Sequence, residues 1–590
     1  MKTTSIKHTA LTILLGLSVT IASAQKDSTE LRKEVEVVKA YKPSISDAYK
    51  INDMPQIAAP SNEKPTFDYQ IKTQPMITNF SVEPVEAARM VPERGDKLNS
   101  GLLKLGIGNY LSQYGEFFYN AKASRNTDLG LHLKSYLSNG KIKLENGDKV
   151  KAPDNENLAE FFMNNHLRSG LLSSKIFYER QSFRYYGYTG ESLSDEDKQL
   201  YIPMWNEKQA FPSAGFSLDY TKKEDPRATM NLKTGVKYQY FRTKTGQKEH
   251  LVNWNGLFSA PIELMEGVLD AGVTYSTTDS VYMPYTQSIG KRDQLVLKVN
   301  PAAVFDTEML KFRLGINSYT VFEKDEDTDY MLAPNTRIEF MPVKNVITLY
   351  AGTDGYLQQN NYSVIAKENP YVRPDQNVKN TKYRYILTGG IKGKFTPNFS
   401  YEFQADYASI KNQHFYYLEN TIMNETVPTL YRNNTFQIMY DKVKQFTLGG
   451  ELQYALNQEI DVRLNAKYHS YSLDSLAEAF LKPSFESSAS LYFDPEGPLR
   501  FTADINFIGS RKALTQTIEY DTDNTTALNT TSEISDLKSI IELNMGVEYQ
   551  LTGNISLWGR ANNITSQKYE LFPGYRNQSL NVLVGASLAF

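Results

Sequence analysis

Residues 461–469 read DVRLNAKYH, and this stretch shows the pattern that decides the fold. Apolar side chains alternate there with polar ones: Val462, Leu464, Ala466 and Tyr468 on one parity, and Asp461, Arg463, Asn465, Lys467 and His469 on the other. A period of two is that of a β-strand with one apolar face, whereas helical spacing would mix the two classes. The stretch therefore predicts a strand between an apolar and a wet environment.

The same alternation recurs through most of the chain, for example in residues 128–137, 501–507 and 537–549. Alternation alone also fits a soluble sandwich or propeller with one wet face. Strand length separates these classes, because many of the runs last roughly 11 to 16 residues, whereas sandwich strands usually have about 5 or 6. Strands that cross a membrane need about 9 to 11 residues. Length therefore favours a transmembrane barrel.

Short turns and longer loops divide the alternating runs. The short turns lie at 125–127, near 169–170, and at 224–226, 262–266, 306–308, 342–344, 396–398, 457–459, 495–497 and 552–554. Longer polar loops come between them, for example 139–158, 188–208, 357–377 and 513–534. Short turns at one end and long loops at the other are typical of outer-membrane barrels, which have an even number of strands. The ten turns predict an all-β, antiparallel, up-and-down transmembrane barrel of about 22 strands over residues 98–590.

Both termini carry signals of export. Lys2 and Lys7 precede an apolar run from Ala10 to Ile21, and the small residues Ala22-Ser23-Ala24 follow, so we expect a signal peptide over residues 1–24. The alternative is a membrane anchor, but a run of about 12 residues is too short to span the bilayer as a helix. At the other end, alternating apolar residues continue to Phe590, which predicts a terminal strand read by barrel-assembly machinery; a soluble barrel's last strand is the alternative.

Composition excludes several classes of protein. The chain has no cysteine and six histidines, which excludes disulfide scaffolds, thiolate metal sites and cysteine nucleophiles. A formal net charge of −3 provides no basic field for a nucleic acid. With 22% charged residues, a bundle of transmembrane helices is excluded as well. An exported chain is left, which we expect in a bacterial outer membrane, in contact with its lipid.

The last hairpin resembles a known family. Residues 557–564 read LWGRANNI, residues 567–570 read QKYE and residues 573–576 read PGYR, ahead of the terminal aromatic strand. This sequence resembles the closing strands of TonB-dependent receptors, and the Tyr, Asn and Lys bias resembles chains from Bacteroidetes-type bacteria. The resemblance implies a 22-stranded outer-membrane barrel of the type that imports siderophores, vitamins or glycans.

The N-terminal region departs from that family. Its members have a plug of about 120 to 150 residues before the barrel, but only residues 25–97 lie between the signal and the first strand, and they contain seven prolines. Proline interrupts both helices and sheets, so we expect an extended periplasmic or lumenal arm without a plug domain. Within it, Glu34, Val35, Glu36, Val37 and Val38 resemble the short box that pairs with TonB by strand addition. An ordinary valine-rich strand or linker is the alternative.

A search for catalytic and ligand-binding motifs gives no active site. No nucleophile elbow, phosphate loop or paired histidines occur, so we expect no enzyme, cofactor or metal; the scattered histidines are expected in the lumen or loops. The acidic run 323–329 is expected to be a solvated loop, with a Ca²⁺ site as the alternative. The aromatic run 184–188 is expected in the interfacial girdle, with ligand stacking as the alternative.

Three functions fit these expectations. The first is a transport or uptake barrel of the TonB-dependent type. The second is a plugless scaffold subunit of an outer-membrane secretion or assembly complex, and the third is a passive porin. The empty lumen of a 22-stranded barrel would be wider than the open pore of a general porin. We therefore expect it to be filled by the arm, by inward-folded loops, or by a surface or periplasmic partner, and TonB is a further candidate partner.

Overall fold

The computed structural model describes residues 99–189, 208–223, 230–279, 291–344, 346–422, 434–520 and 527–590. Its first fifteen strands are β1 (Gly101–Gly108), β2 (Ser112–Ser124), β3 (Thr127–Ser138), β4 (Lys141–Lys143), β5 (Lys149–Lys151), β6 (Asp154–His166), β7 (Gly170–Arg184), β8 (Lys208–Lys222), β9 (Asn231–Arg242), β10 (Lys248–Ile262), β11 (Met265–Thr278), β12 (Arg292–Asp306), β13 (Leu310–Glu323), β14 (Asp329–Val343) and β15 (Ile347–Gln358).

The second half begins with one short helix. Helix α1 (Tyr362–Glu368) is followed by β16 (Thr381–Thr396), β17 (Phe399–Ile422), β18 (Thr435–Ala455), β19 (Ile460–Leu473), β20 (Phe485–Phe493), β21 (Leu499–Ile508), β22 (Arg511–Tyr520), β23 (Ala527–Leu537), β24 (Ile540–Gln550), β25 (Ile555–Asn562), β26 (Glu570–Phe572), β27 (Tyr575–Arg576) and β28 (Asn581–Ala589). Within the described part of the chain, no helix combines the length and the apolar character needed to cross a bilayer.

Twenty-two of these strands form a closed antiparallel barrel. Each barrel strand pairs with its neighbours in chain order, and β1 pairs with both β2 and β28, which closes the ring. The remaining strands form small hairpins, β4 with β5, β22 with β23 and β26 with β27. The predicted fold class and strand number are confirmed.

The two faces of the barrel wall differ as the alternation predicts. On β18 and β19 the exposed face carries large apolar side chains, among them Leu448 (52% exposed) and Leu464 (43% exposed). The opposite face of the wall carries polar contacts between strands, such as Lys392 Nζ of β16 to Glu339 Oε1 of β14 at 3.3 Å, across the intervening β15. That face is the lumen, because the loop with α1 enters the barrel and its Lys367 contacts Glu179 of β7. The outward face forms an apolar belt.

The two ends of the barrel differ in their connections. All the predicted short turns within the described residues lie at one end, which we call the turn end; the turn at 224–226 lies outside them. The other end is the loop end. Long loops were expected throughout that end, and this is wrong at three places, because the connections at 109–111, 243–247 and 324–328 are as short as turns. Strand pairing constrains only the direction of the chain, so a short connection serves at either end.

Phe590 lies at the seam where the barrel closes. Its backbone exchanges two hydrogen bonds with Gly101, at 2.7 and 3.0 Å. Its ring covers Gly101, where a Cβ would be 2.4 Å from the ring, and stacks on Tyr119 with ring centroids 6.3 Å apart. The absence of a side chain at Gly101 leaves room for the terminal aromatic ring against the first strand. The last residue is therefore built into the barrel wall.

Strands β17 and β18 project beyond their neighbours at the loop end. β17 has 24 residues, and its last part pairs in parallel with β22 of the β22–β23 hairpin. Two sequence expectations are wrong here. Residues 513–534 lie largely within this hairpin and are not an irregular loop, and the alternation over 537–549 is not one strand, because β23 ends at Leu537 and β24 begins at Ile540. The parity of residues 541–549 holds within β24.

The signal segment 1–24, the arm 25–97 and the TonB-box candidate Glu34, Val35, Glu36, Val37 and Val38 lie outside the described residues.

Candidate functional site: a cap at the loop end

Two inward-folded segments form a cap over the lumen at the loop end. The first is residues 359–380, which contain α1, and the second is residues 570–576, which form the β26–β27 hairpin. Both pack against the loop-end parts of β7, β8, β9, β17 and β18 in one cluster of buried side chains.

The core of the cap is apolar and aromatic. Ile365, Val372, Leu418 and Phe436 are each 0% exposed. The other buried members are Phe183, Tyr185, Phe211, Phe241, Tyr362, Ala366, Val378, Tyr416 and Tyr575. Each Å² of apolar surface that the cluster buries contributes about 25 cal/mol of stability, so these thirteen side chains form a local core. The two segments are therefore held in place by packing as well as by polar contacts.

The wall of the barrel anchors α1 at its N-terminus. Asn361 makes no side-chain capping bond, so the first free N–H groups of the helix need another acceptor. The Glu249 carboxylate on β10 supplies it, accepting hydrogen bonds from the backbone N–H of Tyr362 at 2.7 Å and of Ser363 at 3.0 Å. A negative charge also suits the positive end of a helix. Glu249 thus attaches α1, a short helix within a loop, to a barrel strand.

Ion pairs hold the other end of α1. Lys367 Nζ lies 3.0 Å from Glu179 of β7. Glu368 lies 2.7 Å from His414 Nε2 of β17 and 3.2 Å from Lys482 Nζ. Burial acts to raise the pKa of Glu368, but the hydrogen bond with His414 and the charge of Lys482 outweigh it and lower that pKa to about 2. The carboxylate is therefore charged at any physiological pH.

Beyond α1 the cap pairs with the wall as an added strand. Val372 forms a parallel bridge with Phe436 of β18, through hydrogen bonds of 3.0 Å on both sides. Arg373 next to it binds Asp375 at 2.5 Å and Glu419 of β17 at 2.9 Å, with 14% of its side chain exposed. A buried guanidinium between two carboxylates holds this part of the cap in position against the wall, because removing either partner would leave a buried charge unpaired.

The β26–β27 hairpin completes the cap. Gly574 has φ of +78°, a conformation that favours glycine, and a Cβ there would be 2.9 Å from the backbone of Tyr188. The next residue, Tyr575, stacks on Tyr371 with ring centroids 3.5 Å apart and donates a hydrogen bond to the carbonyl of Asn434. Burial raises the pKa of Tyr575 and of Tyr371 well above the ordinary value. Both rings are therefore neutral, and they join the two cap segments.

A cavity of about 550 Å³ lies on the lumen side of the wall next to α1. Its wall is charged, with Lys175, Glu179, Asp219 and Lys237 facing it, and Lys367 of the cap at its border. Such a lumen is wet and polar, and it offers paired charges rather than an apolar pocket. The arrangement can bind or pass a polar solute.

A row of polar side chains crosses the lumenal wall beside this cavity. His132 of β3 lies 3.0 Å from Glu116 of β2 and 3.6 Å from Glu160 of β6, and Glu160 lies 3.1 Å from Lys175 of β7. The expectation that histidines occupy lumen or loop positions is confirmed for His132, and for His414, which faces the cap. Each of them has a carboxylate neighbour on an adjoining element, which explains why it is placed there.

The aromatic run 184–188 is not part of an interfacial girdle, so that interpretation is wrong. Tyr185 is 2% exposed and lies in the core of the cap, and Tyr188 is 6% exposed and packs with Leu144 and Val150 beside it. The Tyr186 hydroxyl donates a hydrogen bond to the carbonyl of Arg576 in the hairpin at 2.9 Å. The run turns inward after β7 because the cap offers it an apolar core and backbone partners.

In the acidic run 323–329, both ends are engaged by basic side chains. Glu323 accepts hydrogen bonds from Arg292 at 2.6 and 3.0 Å, and Asp329 pairs with Lys382. In the described ranges, no group of three or more His, Asp or Glu side chains is arranged to hold a metal ion.

One stretch of the sequence indicates the cap, and it does so only through its resemblance to a known family. Residues 573–576, PGYR, form its hairpin, with Gly574 and Tyr575 at the closest contacts. Nothing local indicated α1, which has seven residues and no capping side chain of its own. Its helix is stabilised by Glu249, more than one hundred residues earlier in the chain.

Known proteins were compared at the levels of sequence and structure. No family model matches the sequence, and no curated protein matches it significantly. Solved structures do match. The pyoverdine outer membrane receptor FpvA from Pseudomonas aeruginosa, bound to pyoverdine, gives a TM-score of 0.61 at 12% identity, over 84% of this chain and 79% of FpvA.

Two further structures agree with the first. The FrpB iron transporter from Neisseria meningitidis gives a TM-score of 0.60 at 10% identity, over 84% of this chain and 82% of FrpB. The ferric enterobactin receptor PfeA from Pseudomonas aeruginosa, as a mutant, gives 0.58 at 13% identity, over 83% and 80%. These neighbours are TonB-dependent receptors and transport proteins, not enzymes. At such low identity the likeness extends to the fold, and the chain shares the 22-stranded barrel of TonB-dependent outer-membrane receptors.

Proposed function

We propose that the chain is a bacterial outer-membrane barrel that acts in transport or uptake, in the manner of the TonB-dependent receptors whose fold it shares. The turn end faces the periplasm and the loop end faces outward in this proposal, as in other outer-membrane barrels. The cap is then an outer gate over the lumen. The solute is polar, because the lumenal wall presents paired charges.

The observation that carries the proposal is the cap inside a closed, charged lumen. A barrel that used only its outer apolar belt to bind partners would not need polar contacts in the lumen, such as that of Lys175 with Glu160. The cap is tied to the wall by noncovalent bonds from several strands, including Glu249, Glu179 and His414. Contacts of this kind can be broken and remade, which is what a gate requires.

The N-terminal arm belongs to the same proposal. Residues 25–97 would enter the lumen from the periplasmic side or bind a partner there, in place of a plug domain. Even 20 extended residues reach about 65 to 70 Å, which exceeds the thickness of the membrane. The segment Glu34–Val38 is the proposed contact with TonB, through a strand added to TonB's sheet.

A second candidate function is a scaffold subunit of an outer-membrane secretion or assembly complex. The specific observation in its favour is the β22–β23 hairpin, which extends the wall beyond the barrel and pairs with β17. Strand β23 has exposed side chains from residue 529 to residue 536 and could accept a partner strand along its edge. In this alternative the cap is a permanent seal.

Releasing the cap in cells tests whether it closes the lumen. Ile365→Asp places a charge at a position that is 0% exposed, whereas Val364→Asp changes the neighbouring residue of α1, which is 39% exposed. The first variant should make cells sensitive to a large antibiotic that porins exclude, and the second should not; unchanged permeability in both would contradict a closing role for the cap. Purification of the wild type in mild detergent distinguishes the two functions, because a lone chain favours transport and a stoichiometric partner favours the scaffold.

A further inference from the structure

The outward face of the barrel carries a basic groove near the loop end. It has a volume of about 710 Å³ and is bounded by β14, β16, β17, β18 and β19. Five basic side chains line it, against two acidic ones. The basic residues are Lys382, Arg384, Lys411, Lys442 and Lys444, and we call them the outer basic cluster. The acidic residues are Asp329 and Asp474.

Two members of the cluster have carboxylate partners and three do not. Lys382 pairs with Asp329, and Lys442 Nζ lies 3.1 Å from Asp474. Among the residues that the structure describes, no ion pair involves Arg384, Lys411 or Lys444, and all three are exposed. The groove therefore has a surplus of three positive charges, for which the described residues supply no anion.

Strand register places two residues of the outer basic cluster directly opposite each other. Lys382 of β16 and Lys411 of β17 are partners in the antiparallel ladder, and Lys444 of β18 is opposite Ser409, two positions from Lys411. Directly opposite side chains have Cβ atoms about 4.5 to 5.5 Å apart, and like charges there repel each other. Asp329 offsets the charge of Lys382, and an anion bound in the groove would offset those of Lys411 and Lys444 in the same way.

The cluster lies where the apolar belt ends. On β18, the outward residues that follow Lys444 toward the turn end are Phe446 (41% exposed), Leu448 (52%) and then Leu452 and Tyr454. The groove also has two highly exposed apolar side chains at its side, Tyr330 (70%) and Leu332 (74%). Cations at such a boundary sit at the level of lipid headgroups, with their stems against the acyl chains.

From these observations we propose that the outer basic cluster binds the phosphate-bearing headgroup of an anionic membrane lipid in the leaflet at the loop end. Arg384 provides a planar fork for two phosphate oxygens, and Lys411 and Lys444 add point charges on either side. The acyl chains lie along the apolar belt below. This site requires the barrel to be in a membrane and does not depend on transport, the cap or TonB.

The test compares lipid retention by three proteins purified in detergent and delipidated. The first is the wild type, the second carries Arg384→Gln, Lys411→Gln and Lys444→Gln, and the third is a matched control. The control removes one arginine and two lysines from exposed positions of the turn end, with Arg125→Gln, Lys223→Gln and Lys344→Gln. Native mass spectrometry counts bound diphosphoryl lipid A, and phosphatidylcholine serves as the zwitterionic comparison.

The wild type and the control should each retain lipid A, and the cluster variant should bind it roughly a hundredfold more weakly, since each cation near an anionic lipid contributes about a fivefold factor. A charge-conserving variant with Arg384→Lys, Lys411→Arg and Lys444→Arg should restore binding. Equal retention by the cluster variant and the control, or complete displacement by millimolar inorganic phosphate, would overturn the proposal, the latter by showing a site for a free ion only.

Discussion

Leu464 and Asn465 are adjacent residues whose environments are opposite. Leu464 is 43% exposed on the belt and is the ladder partner of Leu452, whereas Asn465 lies on the lumenal parity with Arg463 and Lys467. Single residues of this kind were predictable, because each strand crosses a boundary between lipid and water and the pleat alternates sides. Residues in the cap were not predictable, since their neighbours come from distant parts of the sequence.

The register predicts different outcomes for two arginine substitutions. Leu464→Arg should destabilise the folded barrel by about 2 to 4 kcal/mol if the site is near the bilayer midplane, because the charge then faces hydrocarbon. Asn465→Arg, one position away, should be tolerated in the wet lumen. The folded fraction in lipid vesicles, read from heat-modifiable gel mobility across a urea series, measures both. Equal losses for the two variants would show that the assigned faces are wrong.

The terminal residue should matter for assembly. Phe590 stacks on Tyr119 and covers Gly101, so Phe590→Asp removes the ring from the seam and places a charge on the belt. We expect less folded barrel at the cell surface and more degraded or periplasmic chain. Phe590→Trp keeps an aromatic ring and is the control. Normal surface levels of the Asp variant would count against an assembly role for this residue.

The lowered pKa of Glu368 predicts how the cap responds to acid. Its pKa of about 2 in the folded state lies below the ordinary value of 4.5, so its contribution to cap stability is complete above pH 4.5 and is lost as the pH falls toward 2. The carboxylate is 40% exposed, so solvent screens part of the effect.

A spin label can follow this loss. The chain contains no cysteine, so Val364→Cys gives one labelling site on α1. Label mobility should rise between pH 4.5 and 2 in the otherwise unchanged protein. With Glu368→Gln added, mobility should be higher at neutral pH and should change less across the same range. An identical pH response in both proteins would remove Glu368 from this role.

At the scale of elements, the barrel strands are specified by their local sequence, whereas the cap is specified by contacts with distant residues. β3 and β19 follow from their own residues, because alternation and length specify a membrane strand. Helix α1 has its first N–H groups bound by Glu249 and its Lys367 bound by Glu179, on strands far away in the sequence. The inward turn of residues 185–188 likewise depends on the hairpin at 570–576. Local patterns therefore indicated the wall but not what closes it.

The packing of α1 can be tested by protease access. Ile365→Asp should free residues 359–380 from the wall, since an unpaired charge in a site without exposure costs several kcal/mol, while Val364→Asp should leave them docked. Trypsin should then cut at Lys367, Arg373 or Lys379 in the first variant only, and the barrel should remain intact on a gel. Similar cleavage of both variants would mean that α1 is not held by its buried face.

At the scale of the whole molecule, closure of the ring and closure of the lumen have different origins. The ring closes through β1 and β28, and the strand number could be counted from turns. The lumen was expected to be filled by the arm, by inward-folded loops or by a partner, and inward-folded loops are part of the answer. The contribution of residues 25–97 stays a prediction. The central claim is that the cap closes this barrel at the loop end.

Conductance in planar bilayers tests that claim most directly. The protein lacking residues 26–90 has no arm to enter the lumen, so among the segments that the structure describes the cap remains to close it. We predict a nearly silent bilayer for this truncated protein and large, steady conductance when Ile365→Asp is added, with Val364→Asp as the silent control. A wide open pore in the truncated protein before any change in the cap would contradict the account.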